Sequence, residues 1–128
     1  VGGATLKIGI FSEDSGLSNK LFTTLSDSQY FKSIDVYSDL TKGFEAVKKE
    51  KCDIAFIDAR EKEGPGVELA ARLLDVVPTT KIVFIANDGR NAMEGFRLGI
   101  LDYIVLPIGK DDIESLIKNF KNIHRPTI

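Results

Sequence analysis

Apolar positions along this chain fall into two patterns that take turns: short unbroken runs, and stripes spaced three or four residues apart. Leu6-Lys7-Ile8-Gly9-Ile10-Phe11, Ile54-Ala55-Phe56-Ile57 and Lys81-Ile82-Val83-Phe84-Ile85-Ala86 are runs, the signature of strands buried on both faces of a parallel sheet. Ile34-Asp35-Val36-Tyr37 alternates and is shorter, a weaker strand signal. Asp102-Tyr103-Ile104-Val105-Leu106 gives a fifth strand, and Pro107 closes it because proline cannot continue a ladder inside a sheet.

Between the runs lie the helical stripes. Leu17, Leu21 and Leu25, with Phe22 beside them, predict a first helix that Asp14 or Ser15 caps. Leu40, Phe44 and Val47 predict a second, ending in Lys48-Lys49-Glu50-Lys51, where basic residues complement the negative helix end. Val67, Ala70, Leu73, Leu74 and Val77 predict a third, with Pro78 just beyond it. Met93, Phe96 and Ile100 predict a fourth, stopped near Gly99. Asp111 or Asp112 caps a fifth, whose inner face is Ile113, Leu116, Ile117 and Phe120, extending to Ile123. Strands alternating strictly with helices imply an α/β domain, a parallel sheet covered on both faces with right-handed crossovers. The pattern does not choose between the common doubly wound strand orders.

Size and composition narrow the field of functions. The chain has 128 residues, enough for one domain, with a tail at 1–5, the domain at 6–123 and a tail or linker start at 124–128. Net charge is −2 from 17 basic and 19 acidic residues, which leaves no electrostatic footprint for direct nucleic acid binding or for a membrane surface. No apolar run approaches the roughly 20 residues a membrane span needs. Cys52 is the single cysteine, so no internal disulfide forms and a reducing, cytoplasmic setting is expected. His124, the single histidine, lies in the tail and reads as a solvated residue.

The candidate chemistry is acidic. The third strand ends on Asp58, just before the turn-rich segment Ala59-Arg60-Glu61-Lys62-Glu63-Gly64-Pro65-Gly66. In open α/β sheets ligands bind at the carboxyl ends of the strands. The first strand ends in Ser12-Glu13-Asp14. If the two strands are neighbours, Glu13, Asp14 and Asp58 crowd together and raise one another's pKa unless a cation neutralises them. Mg2+ answers that problem, and a carboxylate beside it can attack phosphorus to form an acyl phosphate. The alternative is that Glu13 and Asp14 merely favour the helix N-terminus, and Asp58 is the first polar residue after a strand. A flavin or nucleotide site is disfavoured, because Ser12-Glu13-Asp14-Ser15-Gly16 puts two carboxylates where a phosphate would sit.

These residues resemble the receiver domain of two-component response regulators over nearly the whole length, from about Leu6 to Ile123. The resemblance rests on the acidic cluster after the first strand, Asp58 ending the third, Gly64-Pro65-Gly66, Gly99 through Asp102-Tyr103, and Pro107. It implies a flavodoxin-like, CheY-like sandwich whose five-stranded parallel sheet has the order 2-1-3-4-5 with five helices. It implies phosphoryl transfer from a histidine kinase or phosphotransfer protein to Asp58, with Mg2+ held by Glu13, Asp58, the Arg60 backbone carbonyl and Asp14 as a substitute ligand. It implies control of an attached or partner output module, and a cis Leu106–Pro107 bond. Such a domain is a phosphoacceptor and no conventional enzyme.

Three family positions are degenerate. Ser12 stands where the family has a second carboxylate, Ala86 where it has Thr or Ser, and Leu106 where it has a lysine facing the phosphoryl group. Losing that charge-assisted contact costs about 1.5–3 kcal/mol. Asn87 offers an amide or bulk in partial replacement, and Arg60 or Lys110 offers a cation if its loop bends inward. Tyr103 stands at the family's switching aromatic and, without the hydroxyl at position 86, is expected to be fixed in one state, inward against Ala86; a half-buried strand tyrosine is the plainer reading. Two functions follow: a phosphoacceptor receiver, or a phosphorylation-independent pseudo-receiver that docks a partner or a second copy through its fourth helix, fifth strand and fifth helix.

Overall fold

The computed structural model describes residues 6–123. The expected tails, with His124, lie outside the described residues. The chain runs β1 (Leu6–Phe11), α1 (Ser15–Ser26), β2 (Phe31–Tyr37), α2 (Leu40–Lys49), β3 (Ile54–Asp58), α3 (Pro65–Val76), β4 (Lys81–Ala86), α4 (Ala92–Leu98), β5 (Asp102–Val105) and α5 (Lys110–Ile123). The strands pair in parallel in the order β2-β1-β3-β4-β5. The order that periodicity left open is therefore the one the family resemblance implied.

The unbroken apolar runs are explained by two cores, one on each face of the sheet. Because successive strand residues point to opposite faces, Ile54 and Phe56 of β3 join Ile8, Ile10, Val83 and Ile85 in a core closed by α1 and α5. Ala55 and Ile57 join Phe11, Ile82 and Phe84 in a second core closed by α2 and α3. All four apolar residues of β3 are fully buried, and each large one contributes about 1.5–3 kcal/mol by leaving water. This burial from both sides fixes the end of β3, and with it Asp58.

Several local expectations need correction. β2 begins at Phe31, earlier than alternation indicated, since Leu6 pairs with Phe31. β5 stops at Val105, although the Leu106 amide still donates to the Ala86 carbonyl at 2.9 Å. Phe22 is 43% exposed and outside the α1 stripe. Met93 and Phe96 are 67% and 50% exposed, so they do not form the inner face of α4. That face is Gly95, where an added Cβ would stand 2.7 Å from Ile100 Cδ1 and 3.2 Å from Phe84 Cδ2. The helix approaches the sheet through the residue with no side chain, which an apolar stripe cannot reveal. Ile123 is exposed, whereas Ile113, Leu116, Ile117 and Phe120 are buried as expected. Asp14 caps α1, its Oδ1 accepting from the Gly16 and Leu17 amides. At α5 the carboxylate of Asp112 reaches back to accept from the Gly109 amide at 2.8 Å, the reciprocal half of a capping box.

Candidate functional site: an acidic cleft with a guanidinium in it

β1 and β3 are hydrogen-bonded neighbours, so the loops that follow them open at the same edge of the sheet. There they form a cleft of about 530 Å3 lined by Ser12, Glu13, Asp14, Asp58, Arg60 and Asn87, among others. The carboxylates that the sequence set apart by more than forty positions are thus brought together. The bond before Pro107 is cis.

The side chains in the cleft are closely paired. The Arg60 guanidinium lies across Asp58, with Nε donating to Oδ1 and Nη2 to Oδ2, both at 2.9 Å. The Arg60 backbone amide adds a third bond to Oδ1 at 3.2 Å. The same Nη2 reaches Asp14 Oδ2 at 2.9 Å. From the other side, buried Ser12 donates its hydroxyl to Asp58 Oδ2 at 2.7 Å and accepts the Asp14 amide at 3.0 Å. Asp58 is only 17% exposed and Arg60 29%. Burial pushes the Asp58 pKa up, but the hydrogen bonds from Arg60 and Ser12 outweigh it and hold the carboxyl below its ordinary value. Asp14 is lowered by its bond to Arg60, and Arg60 is raised by both carboxylates.

Glu13 is exposed at the rim and makes no hydrogen bond or ion pair among the described residues. Of the two cations the sequence offered, Arg60 enters the cleft, while Lys110 lines a separate hollow with Thr24 and Asp27. Leu106 packs against the first core. Ala86 is buried and Asn87 exposed at the cleft margin. Tyr103 is half-buried against the second core, opposite Phe84 in the strand register and not Ala86, and its hydroxyl donates to the Asp88 carbonyl at 2.8 Å. Sequence reasoning missed that acceptor, which is a backbone atom of the β4–α4 loop.

Mg2+ demands near-octahedral oxygen ligation at about 2.0–2.1 Å. Here four donors occupy the two oxygens of Asp58, and Asp14 is divided between the α1 cap and Arg60. Among the described residues no group of three His, Cys, Asp or Glu side chains is arranged to hold a metal. The cleft in this arrangement does not fit Mg2+.

A parallel doubly wound domain with an aspartate closing its central strand, beside a second acidic loop, defines a carboxylate-centred cleft at the carboxyl edge of the sheet. The family model of the response regulator receiver domain matches residues 10–118, and the chain belongs to that family. It is 25% identical over 116 residues to the transcriptional regulatory protein LytR of Staphylococcus aureus, covering 91% of this chain and 47% of that protein. It is 22% identical over 123 residues to the sensory transduction protein LytT of Bacillus subtilis, covering 96% of this chain and 51% of that one. The chain therefore spans about half the length of the curated relatives it matches. A solved response regulator from Thermotoga maritima superposes with a TM-score of 0.78 at 21% identity, over 91% of this chain and 98% of that one. The isolated REC domain of RcsB from Salmonella enterica serovar Typhimurium, solved with phosphomimetic BeF3-, gives 0.76 at 13% identity, over 92% and 89%. Receiver domains serve two-component signalling and as a class carry Mg2+ in their acidic pocket, which makes the guanidinium in this cleft a departure.

Proposed function

We propose that this receiver domain accepts a phosphoryl group on Asp58 from a histidine kinase or phosphotransfer protein in the cytoplasm, and so controls an attached or partner output module. The observation that carries the reading is the place of Asp58. It closes the central strand, is held ionised by its partners, and faces a cleft open to solvent. An ionised carboxylate oxygen is the nucleophile that aspartyl phosphate formation needs. The output face is α4, β5 and α5, where Met93, Phe96, Leu98 and Val105 are exposed and offer apolar surface to a partner or a second copy.

A second reading is favoured by three residues. Ala86 has no hydroxyl, Leu106 is half-buried against the first core, and Tyr103 is already bound to a backbone carbonyl. These support a phosphorylation-independent interaction module. Intact mass spectrometry after incubation with acetyl phosphate or phosphoramidate, with and without Mg2+, separates the two. One added phosphoryl mass that Asp58→Asn abolishes supports the first reading. No mass gain under any of these conditions supports the second.

A further inference from the structure

We propose that Arg60 takes the place of the divalent cation in this receiver, so that negative charge in the unmodified cleft is offset from within the chain and Mg2+ is excluded. The inference concerns the same cleft as the functional reading but does not require that Asp58 be phosphorylated.

Three observations converge. The first is geometric. A planar guanidinium matches a carboxylate in a fork of two parallel bonds, and Arg60 makes that fork to Asp58 while extending the same Nη2 to Asp14. It thus ties Asp14, from the loop after β1, to Asp58, at the end of β3.

The second is local. Arg60 follows Asp58 by two residues, and its own backbone amide bonds the same Oδ1 that its Nε bonds. One short loop thus closes both contacts and little chain entropy is lost in forming them. A dication brought to Asp58 would have to strip these bonds and then sit beside a positive charge a few ångströms away.

The third is the neighbour that Asp58 meets from β1. The family pattern puts two carboxylates after the first strand. Here one of those positions is Ser12, which donates a hydrogen bond to Asp58 where a carboxylate would offer a metal ligand. Glu13 and Asp14 keep the cleft acidic, but Ser12 and Arg60 supply Asp58 with donors from both sides, so they are two halves of one change.

The test is titration of the folded domain with MgCl2, followed by amide chemical shifts of residues 12–14 and 58–61. Wild type is expected to show no saturable shifts at millimolar Mg2+. Arg60→Ala, with Arg60→Gln as a second variant should the first fold poorly, is expected to bind Mg2+ about tenfold or more tightly than wild type. Ser12→Asp combined with Arg60→Ala is expected to bind more tightly still. Equal affinity in wild type and the Arg60 variants, or no binding in any variant, overturns the proposal. The phosphoryl mass measurement reads Asp58 chemistry separately, so either idea can fail without the other.

Discussion

At the scale of single residues, Asp58 is governed by the balance between burial, which penalises its charge, and the hydrogen bonds that favour it. Its folded pKa lies below its unfolded one, about 3.9 for a free aspartate. Linkage then fixes the sign. The stabilisation from ionised Asp58 is fully present above the unfolded value and is lost as pH falls through the folded one. Asp58→Asn keeps the shape and removes the titration. The stability gap between wild type and Asp58→Asn, measured by urea unfolding, is therefore expected to shrink as pH falls from 7 through 4 and below. A gap that stays constant or widens on acidification would show that the charge of Asp58 is not what Arg60 and Ser12 stabilise. The placing of Asp58 was legible in sequence, because an apolar run that ends on a carboxylate before a turn leaves little choice. The role of Arg60 was not. Its side chain has several rotatable bonds, and Arg60 and Lys110 were equivalent as sources of a cation until their loops were placed. Ser12 read only as a lost carboxylate; its bond to Asp58 needed the β1–β3 pairing to be seen.

At the scale of elements, the cleft depends on how closely α3 begins behind β3. Gly66 lies in the first turn of α3, and a Cβ added there would stand 1.9 Å from the Asp58 carbonyl oxygen. The obstacle is backbone at the end of a strand buried on both faces, so it cannot swing aside and the helix start must move instead. Gly66→Ala is expected to destabilise the domain by about 1–3 kcal/mol, the usual range for overpacking. Gly89→Ala, whose Cβ would meet nothing within 4 Å, is the control and is expected to be near neutral. Chemical denaturation of both variants checks this; a Gly66→Ala midpoint equal to wild type would mean that the approach of α3 to β3 is looser than it stands here. Strands were legible because burial on both faces leaves an unbroken apolar run, and long helices because their stripe repeats over several turns. α4 was misread for a definite reason: it is seven residues long, and it meets the sheet through Gly95 while Met93 and Phe96 face outward. Apolar residues on a short helix report burial only when something lies over them.

At the scale of the whole molecule, the question is whether the Asp58 cleft and the α4–β5 face exchange free energy at all. A shared two-state element is required for that. The structural place for such an element is the end of β4 and the loop after it, between the cleft and Tyr103. At that end stands Ala86, whose methyl group cannot hydrogen-bond to anything arriving at Asp58. Beyond it, Tyr103 holds the loop through the Asp88 carbonyl, and Asp88 pairs with Arg90 in the same loop. These contacts are complete without any contribution from the cleft. Asp58 and Tyr103 should then act as independent sites, whose mutational effects add within about 0.3–0.5 kcal/mol. The expected outcome of a double-mutant cycle on unfolding free energy, with Asp58→Asn and Tyr103→Phe, is additivity within that margin. An interaction energy above about 1 kcal/mol would reveal a connection that Ala86 does not supply, and would return the loop to the role of a switch. The same cycle repeated with Ala86→Thr carries the argument one step further. A hydroxyl at the end of β4 supplies the hydrogen-bonding group that Ala86 lacks, so coupling that is absent in wild type is expected to appear in that background.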